Sequence, residues 1–168
     1  MTNQKQNILE IKKYPEAVLL KKSIPVAKIT SKEIKLFEDM LATMYASKGI
    51  GLAAAQIGRN IRIIVVDIGQ GPIKLANPRI IKIKGKDWLI EGCLSVPDIS
   101  VNIKRPTEIV VVALNEKGES VEIKASGLLS RVIQHEIDHL NGKLIVDYLG
   151  LLSKLRMLKL KRGIKCKQ

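Results

Sequence analysis

The chain holds two histidines, and both fall in His135-Glu136-Ile137-Asp138-His139. On a helix, positions i and i+4 lie one turn apart along the axis and only about 40° apart around it, so both imidazoles reach toward one point. Two neutral imidazoles that converge are the beginning of a metal site, and the glutamate between them projects beside it as a general base. A catalytic ion of this kind takes a third protein ligand and keeps one position open. No third histidine exists, and no glutamate follows Glu136. A third histidine in the metzincin pattern would fall at Ile145, so that pattern fails, as does one with a downstream glutamate. Cys93, Cys166, Asp147 and the upstream acids remain as third ligands. Cys93 lies in Glu91-Gly-Cys-Leu-Ser-Val-Pro97, a turn-like segment after an expected strand, whereas Cys166 lies in a basic tail. Asp138 faces another side of the helix and reads as a support for the ligands. A Cys/His/His set suits Zn²⁺ or Fe²⁺.

A second segment with chemical character is Gly49-Ile-Gly-Leu-Ala-Ala-Ala-Gln56. Its glycines let the backbone approach a substrate closely, and the Gln56 amide is placed to donate to a developing oxyanion. The segment follows a helix rather than a strand, which excludes a dinucleotide fingerprint.

The elements that must position these groups follow from periodicity and punctuation. Residues 31–47 form a helix with Ile34, Phe37, Leu41, Met44 and Tyr45 as its buried stripe, Thr30 or Ser31 as its cap and Gly49 as its stop. Strands are expected at Ile61–Ile68 and about Ile73–Ile83, the second interrupted by Asn77-Pro78. Glu108–Leu114 and Ser120–Ala125 flank Asn-Glu-Lys-Gly and read as a hairpin. Gly127–Leu140 is a second helix, closed by Asn141-Gly142. A third is expected from about Asp147 to Arg162, with Leu151, Leu152, Leu155 and Leu158 on one face. Strands and helices are segregated along the chain, which argues an α+β fold. With no repeat, linker or hinge, residues 1–168 read as one domain.

Composition narrows the function classes. At 168 residues with 46% hydrophobic residues, the chain builds a core and is not a disordered basic protein. Only five aromatic residues (Trp 1, Tyr 3, Phe 1) argue against stacking platforms for single-stranded nucleic acid. No apolar run is long enough for a membrane span, the polar N-terminus is no secretory signal, and two cysteines suit a reducing compartment. The net charge of +13 suggests either an anionic partner or a Lys-rich background. Lys154, Arg156, Lys159, Lys161, Arg162, Lys165 and Lys167 carry seven of those charges within residues 151–168, which contain no acid.

Three ordered segments, Gly-x-Gly-Leu-Ala-Ala-x-Gln (Gly49 to Gln56), Glu-Gly-Cys-Leu-Ser (Glu91 to Ser95) and Gln-His-Glu-x-Asp-His-Leu (Gln134 to Leu140), resemble the peptide deformylase family without a substitution at the defining positions. The resemblance runs from about Ile8 to Leu155. It implies antiparallel and mixed sheets wrapped around the motif-bearing helix, and removal of the N-formyl group from the initiator methionine of nascent polypeptides, with release of formate. It also implies that Cys93, His135 and His139 hold one divalent ion, usually Fe²⁺, with Zn²⁺, Ni²⁺ or Co²⁺ able to replace it. Metal-bound water would be the nucleophile and Glu136 the general base and acid. Gln56 and the Leu94 N–H would form the oxyanion hole, and Glu91 would pair with Arg105. Gly49, Ile50 and Gly51 would lie along the substrate, with Ile50, Leu128 and Val132 walling the methionine pocket. Ser100 stands where some members carry an arginine that contacts the peptide backbone, so contacts beyond methionine do not carry over. Arg131 either edges the pocket or, the preferred reading, is a solvated helix charge. The resemblance further implies the bacterial cytosol or an organelle of bacterial descent, a monomer, and a basic C-terminal helix that docks on the ribosome. Two other classes compete: an endopeptidase of the His-Glu-x-x-His type, and a ribosome- or RNA-binding module with a structural metal. The first lacks its third ligand; the second asks for four closed ligands where three good ones exist.

Overall fold

The computed structural model of the chain describes residues 7–150. Thr30 opens helix α1 (Ser31–Ala46) with a capping box: its Oγ1 accepts from the Lys32 N–H at 3.3 Å, and Glu33 Oε2 accepts from the Thr30 N–H at 3.0 Å. Thr30→Ala is expected to cost about 1 kcal/mol, lowering the thermal midpoint by about 2–4 °C; an unchanged melting curve would count against the cap. The buried stripe of α1 is Phe37, Met40, Leu41 and Met44. Ile34 and Tyr45 are 45% and 49% exposed, contrary to the sequence expectation. The i, i+3, i+4, i+7 series that begins at Phe37 centres the stripe on Met40 and leaves those two at its edges. Tyr45 instead donates its hydroxyl to Asp67 Oδ2 at 2.6 Å. The helix also ends at Ala46, one residue before the expected 47, and Lys48 rather than Gly49 is its stop. Lys48 takes the left-handed position at φ 55°, its N–H donating to Tyr45 O and that of Gly49 to Met44 O, both at 2.9 Å. This is a Schellman motif with lysine where glycine is usual.

Strand β1 (Gly51–Ala53) leads into a 3₁₀ turn at Ala54–Ile57, followed by β2 (Ile63–Val66) and β3 (Ile73–Lys84). Next come β4 (Asp87–Cys93), β5 (Val96–Arg105), β6 (Glu108–Leu114), β7 (Ser120–Ser126), helix α2 (Gly127–Leu140) and a 3₁₀ turn at Ile145–Tyr148. The main sheet is antiparallel in the order β1-β2-β3-β6-β7, and β4-β5 form a separate hairpin. Asn77-Pro78 does not end β3. The register to β6 slips between Ala76 and Arg79, with Asn77 at φ 53° and its amide bonded to the backbone of Val26 in both directions.

The four apolar residues of β2 are buried, and alternation sends them to opposite layers. Ile64 and Val66 join Leu75, Ile109 and Val111 beneath Val132, Ile133, Ile137 and Leu140 of α2. Ile63 and Val65 join Leu52 and Ala76 beneath α1. The motif helix is thus clasped between the main sheet and the β4-β5 hairpin. That hairpin anchors Val96, Val101 and Ile103 against Leu19, Leu144, Ile145 and Val146.

The expected third helix does not begin at Asp147: Asp147 and Tyr148 belong to the 3₁₀ turn, and Leu149 is extended at φ −71°, ψ 140°. Its remainder to Arg162, the basic tail and Cys166 lie outside the described residues. Among the described residues no helix is long and apolar enough to cross a membrane.

Candidate metal centre

Helix α2 carries His135, Glu136 and His139, and the end of β4 brings Cys93 to them. Cys93 Sγ lies 3.2 Å from His139 Nε2, which lies 3.2 Å from His135 Nε2. All three donor atoms fall within 4.8 Å of one another. A thiolate and two imidazole nitrogens aimed at a common point fit a divalent ion of the zinc or ferrous kind. Among the described residues this group has three members, fewer than a closed structural site needs. Asp147, one of the alternative ligands, instead accepts the Leu144 N–H at 2.9 Å.

A buried carboxylate organises the centre. Glu91 Oε1 accepts from Arg105 Nε at 2.6 Å and Arg131 Nη1 at 2.7 Å; Oε2 lies 3.0 Å from both Arg105 Nη2 and His135 Nδ1. The expected Glu91–Arg105 pair therefore exists, and it also orients His135. With Nδ1–H donating to Glu91, the Nε2 lone pair faces Cys93. Asp138 extends the network, its Oδ2 accepting from Arg105 Nη1 and the Tyr148 hydroxyl, both at 2.7 Å. Arg131 is not a solvated charge. It is 7% exposed and reaches the carbonyls of Ile103 and Asp87, both at 3.0 Å. The hairpin lies over it, a long-range contact with one trace in the sequence: Arg131 stands one helical turn before His135.

The electrostatics separate the two histidines and the two glutamates. Burial would raise Glu91, but its bonds to His135, Arg105 and Arg131 outweigh that and hold it near about 2. Burial would lower His135, yet contacts with Cys93 and Glu91 push it up to about 10 in the absence of an ion. His139 goes the other way, held well below the ordinary value by burial and by the charges of His135 and Arg105. Glu136 is raised to about 7, chiefly by burial. Its Oε2 is buried without a hydrogen-bond partner among the described residues.

The glycine loop meets this centre directly. A Cβ on Gly51 would collide with Glu136 Oε1 and come within 2.7 Å of Val132 Cγ1; one on Gly49 would come within 2.9 Å of Leu94 Cδ1. At Gly51, pressed against both Glu136 and Val132, glycine lets the backbone pass so close, whereas at Gly49 a shift of the Leu94 side chain would make room. Gln56 is buried, with Oε1 accepting the Ala53 N–H at 2.8 Å and Nε2 lying 3.2 Å from Ser95 Oγ and 3.8 Å from Cys93 Sγ. Its amide is thereby turned with the nitrogen toward Cys93. The N-terminal segment straps this arrangement. Lys12 N–H donates to Gln56 O at 2.7 Å, Tyr14 N–H to Ser95 O at 2.9 Å and Lys13 Nζ to Leu94 O at 2.5 Å. Ser95 appears in the sequence only as the end of the Glu91–Ser95 motif, with no role, and Lys12–Tyr14 were not marked at all, because pairing across 81 residues leaves no local pattern.

A cleft of about 410 Å³ opens beside these groups. Ile50, Leu128 and Val132 line it together with Gln56, Cys93 and Glu136. Ile50 and Leu128 are 44% and 48% exposed, so they are wall residues rather than core.

A family model described as polypeptide deformylase matches residues 8–155. Peptide deformylase 1 of Clostridium acetobutylicum is 48% identical over 143 residues, which cover 85% of this chain and 95% of that protein. The peptide deformylase of Halothermothrix orenii is 49% identical over 142 residues, 83% of this chain and 92% of its own. Among solved structures, a peptide deformylase from Legionella pneumophila superposes with a TM-score of 0.86 at 38% identity, covering 96% of this chain and 99% of its own. That from Ehrlichia chaffeensis in complex with actinonin gives 0.89 at 38% identity, covering 94% and 98%.

Proposed function

The chain belongs to the polypeptide deformylase family, and from that premise we propose how its residues divide the work. The enzyme hydrolyses the N-formyl group of formyl-methionyl peptides and releases formate. The observation that carries the assignment of roles is the convergence of Cys93, His135 and His139 beside a buried Glu136 with a free carboxylate oxygen. Cys93, His135 and His139 would hold one divalent ion, Fe²⁺ by preference, with Zn²⁺, Ni²⁺ or Co²⁺ compatible with the same donors. When bound, such an ion acts as a Lewis acid and lowers the pKa of water from about 15.7 toward about 7.

Glu136 takes the proton of the attacking water at its buried carboxylate and returns it to the leaving amine. Gln56 Nε2 and the Leu94 N–H receive the developing oxyanion, each such donor contributing roughly 3 kcal/mol. Gly49 and Gly51 let the peptide run close to the loop backbone, and Ile50, Leu128 and Val132 receive the methionine side chain. Ser95 holds the Gln56 amide in its productive turn. Ser95→Ala removes one hydrogen bond of about 1 kcal/mol and is expected to lower kcat/KM about fivefold with KM little changed; an unaltered kcat would show that Gln56 needs no such support.

Residues 1–168 act as a single catalytic domain, monomeric, in the bacterial cytosol or an organelle of bacterial descent. The basic residues 154–167 supply the contact with the ribosome that delivers the nascent chain. Truncation after Ser153 should weaken ribosome co-sedimentation, and unchanged co-sedimentation rules the contact out. The whole reading is tested by anaerobic purification with Fe²⁺, metal analysis and a formate-release assay on formyl-Met-Ala-Ser. One ion per chain and formate release are expected, with activity lost in air as Cys93 oxidises. An ion-loaded protein that leaves the formyl peptide intact overturns it.

A further inference from the structure

Lys48 occupies the left-handed C′ position of α1 at φ 55°, between the hydrogen bonds that close the helix. L-residues with a Cβ avoid this region and glycine is the usual occupant. A side chain retained there against that preference points to a use for the side chain. Lys48 lines the mouth of the cleft with the apolar residues Ile50, Leu89, Ile90 and Leu128. The other charged groups along the cleft are engaged: Glu91 and Arg131 pair with each other, His135 bonds Glu91, and Glu136 lies within the metal centre. Lys48 has no ion pair among the described residues. Among the charged residues lining the cleft it is the exposed one without an ion pair among the described residues, and its neighbours at that end, Ile50, Leu89, Ile90 and Leu128, are apolar.

The loop supplies the scale. Gly51 abuts Glu136, at the reacting centre. Three residues of chain back to Lys48 span at most roughly 11 Å, and an extended peptide advances roughly 3.3 Å per residue. Lys48 therefore stands within the length of about three peptide residues of the scissile bond, and its long side chain on the same cleft is in reach of the residues that follow methionine. Resting on the deformylase reading, we propose that Lys48 selects formyl-methionyl peptides with an acidic side chain at one of the two positions after methionine. The attraction is an exposed ion pair, weakened by salt.

The test compares formyl-Met-Glu-Ser amide with formyl-Met-Gln-Ser amide, and formyl-Met-Ala-Glu amide with formyl-Met-Ala-Gln amide. In the parent enzyme the Glu/Gln ratio of kcat/KM is expected to be about 3–5 for at least one pair at low salt, falling toward one in 0.5 M salt. In Lys48→Glu it should drop below one. Because each ratio is read on one protein preparation, partial unfolding cancels. Lys117→Glu makes the same charge change in the distant β6–β7 turn and should leave the ratio at the parent value. A parent ratio near one for both pairs, a ratio untouched by Lys48→Glu, or an equal response to Lys117→Glu, which would mean the field of the whole protein, each overturns the proposal. Failure of the deformylase reading looks different: no formate from any of the peptides.

Discussion

Glu136→Gln is expected to leave one divalent ion bound per chain and to lower kcat/KM for a formyl-methionyl peptide by about 10²–10⁴-fold. The substitution changes little except the ability to carry a proton. Glutamine has the same length and fills the same space beside Gly51, where even an added Cβ would meet the Glu136 side chain. The three ligands do not include Glu136, so metal content should hold. Burial raises the carboxyl to about 7, close to the pH at which a base both accepts and returns a proton efficiently. Its Oε2 is already without a partner among the described residues, so the variant exchanges one unpaired buried polar atom for another and its melting temperature should change little. A variant that retains ion, fold and more than a tenth of the parent rate would remove Glu136 from the chemistry.

How far the sequence carried depends on whether a residue's role is local. Helix α2 was legible to the residue because its apolar positions, its N-terminal glycine and its Asn141-Gly142 stop all agree. The β6–β7 hairpin was legible for the same reason, with strong alternation on either side of a turn signal. In α1 the period was right but the phase was not: Ile34 and Tyr45 lie at the stripe edge because which face is buried is decided by the sheet beneath, not by the helix. The β4-β5 hairpin was largely missed, since Asp87–Cys93 carries an exposed Trp-Leu-Ile run and a glycine where alternation would mark a strand. The two histidine ligands follow from helix geometry alone. Cys93 rather than Cys166 did not: the choice rested on family motifs, and the physical reason is a hairpin that delivers Cys93 across 46 residues to His139. Arg131 was misread for the complementary reason. A charged residue on an amphipathic helix looks solvated unless its buried partner, here Glu91 on a distant strand, is known.

That partner is the most exacting test of the scaffold. Glu91→Gln should destabilise the protein by about 3–5 kcal/mol, because Arg105 and Arg131 are buried and lose the charge that compensates them. Metal affinity should fall about 10- to 100-fold as well, since His135 loses the carboxylate that fixes its ring. Neither arginine can turn to water: one is tied to Asp138 and Tyr148, the other to the carbonyls of Ile103 and Asp87. The pH dependence separates this mechanism from simple misfit of an amide. Glu91 is depressed from 4.5 to about 2, so its contribution is complete above about pH 4.5 and is lost as pH falls toward 2. The shift corresponds to a loss on the order of 3 kcal/mol over that window. Denaturant titrations of the metal-free parent and variant, carried from pH 7 downward, should therefore converge below about pH 4.5. Two stability curves that stay parallel through that window would mean that the ionised carboxylate of Glu91 is not what holds the hairpin to the helix.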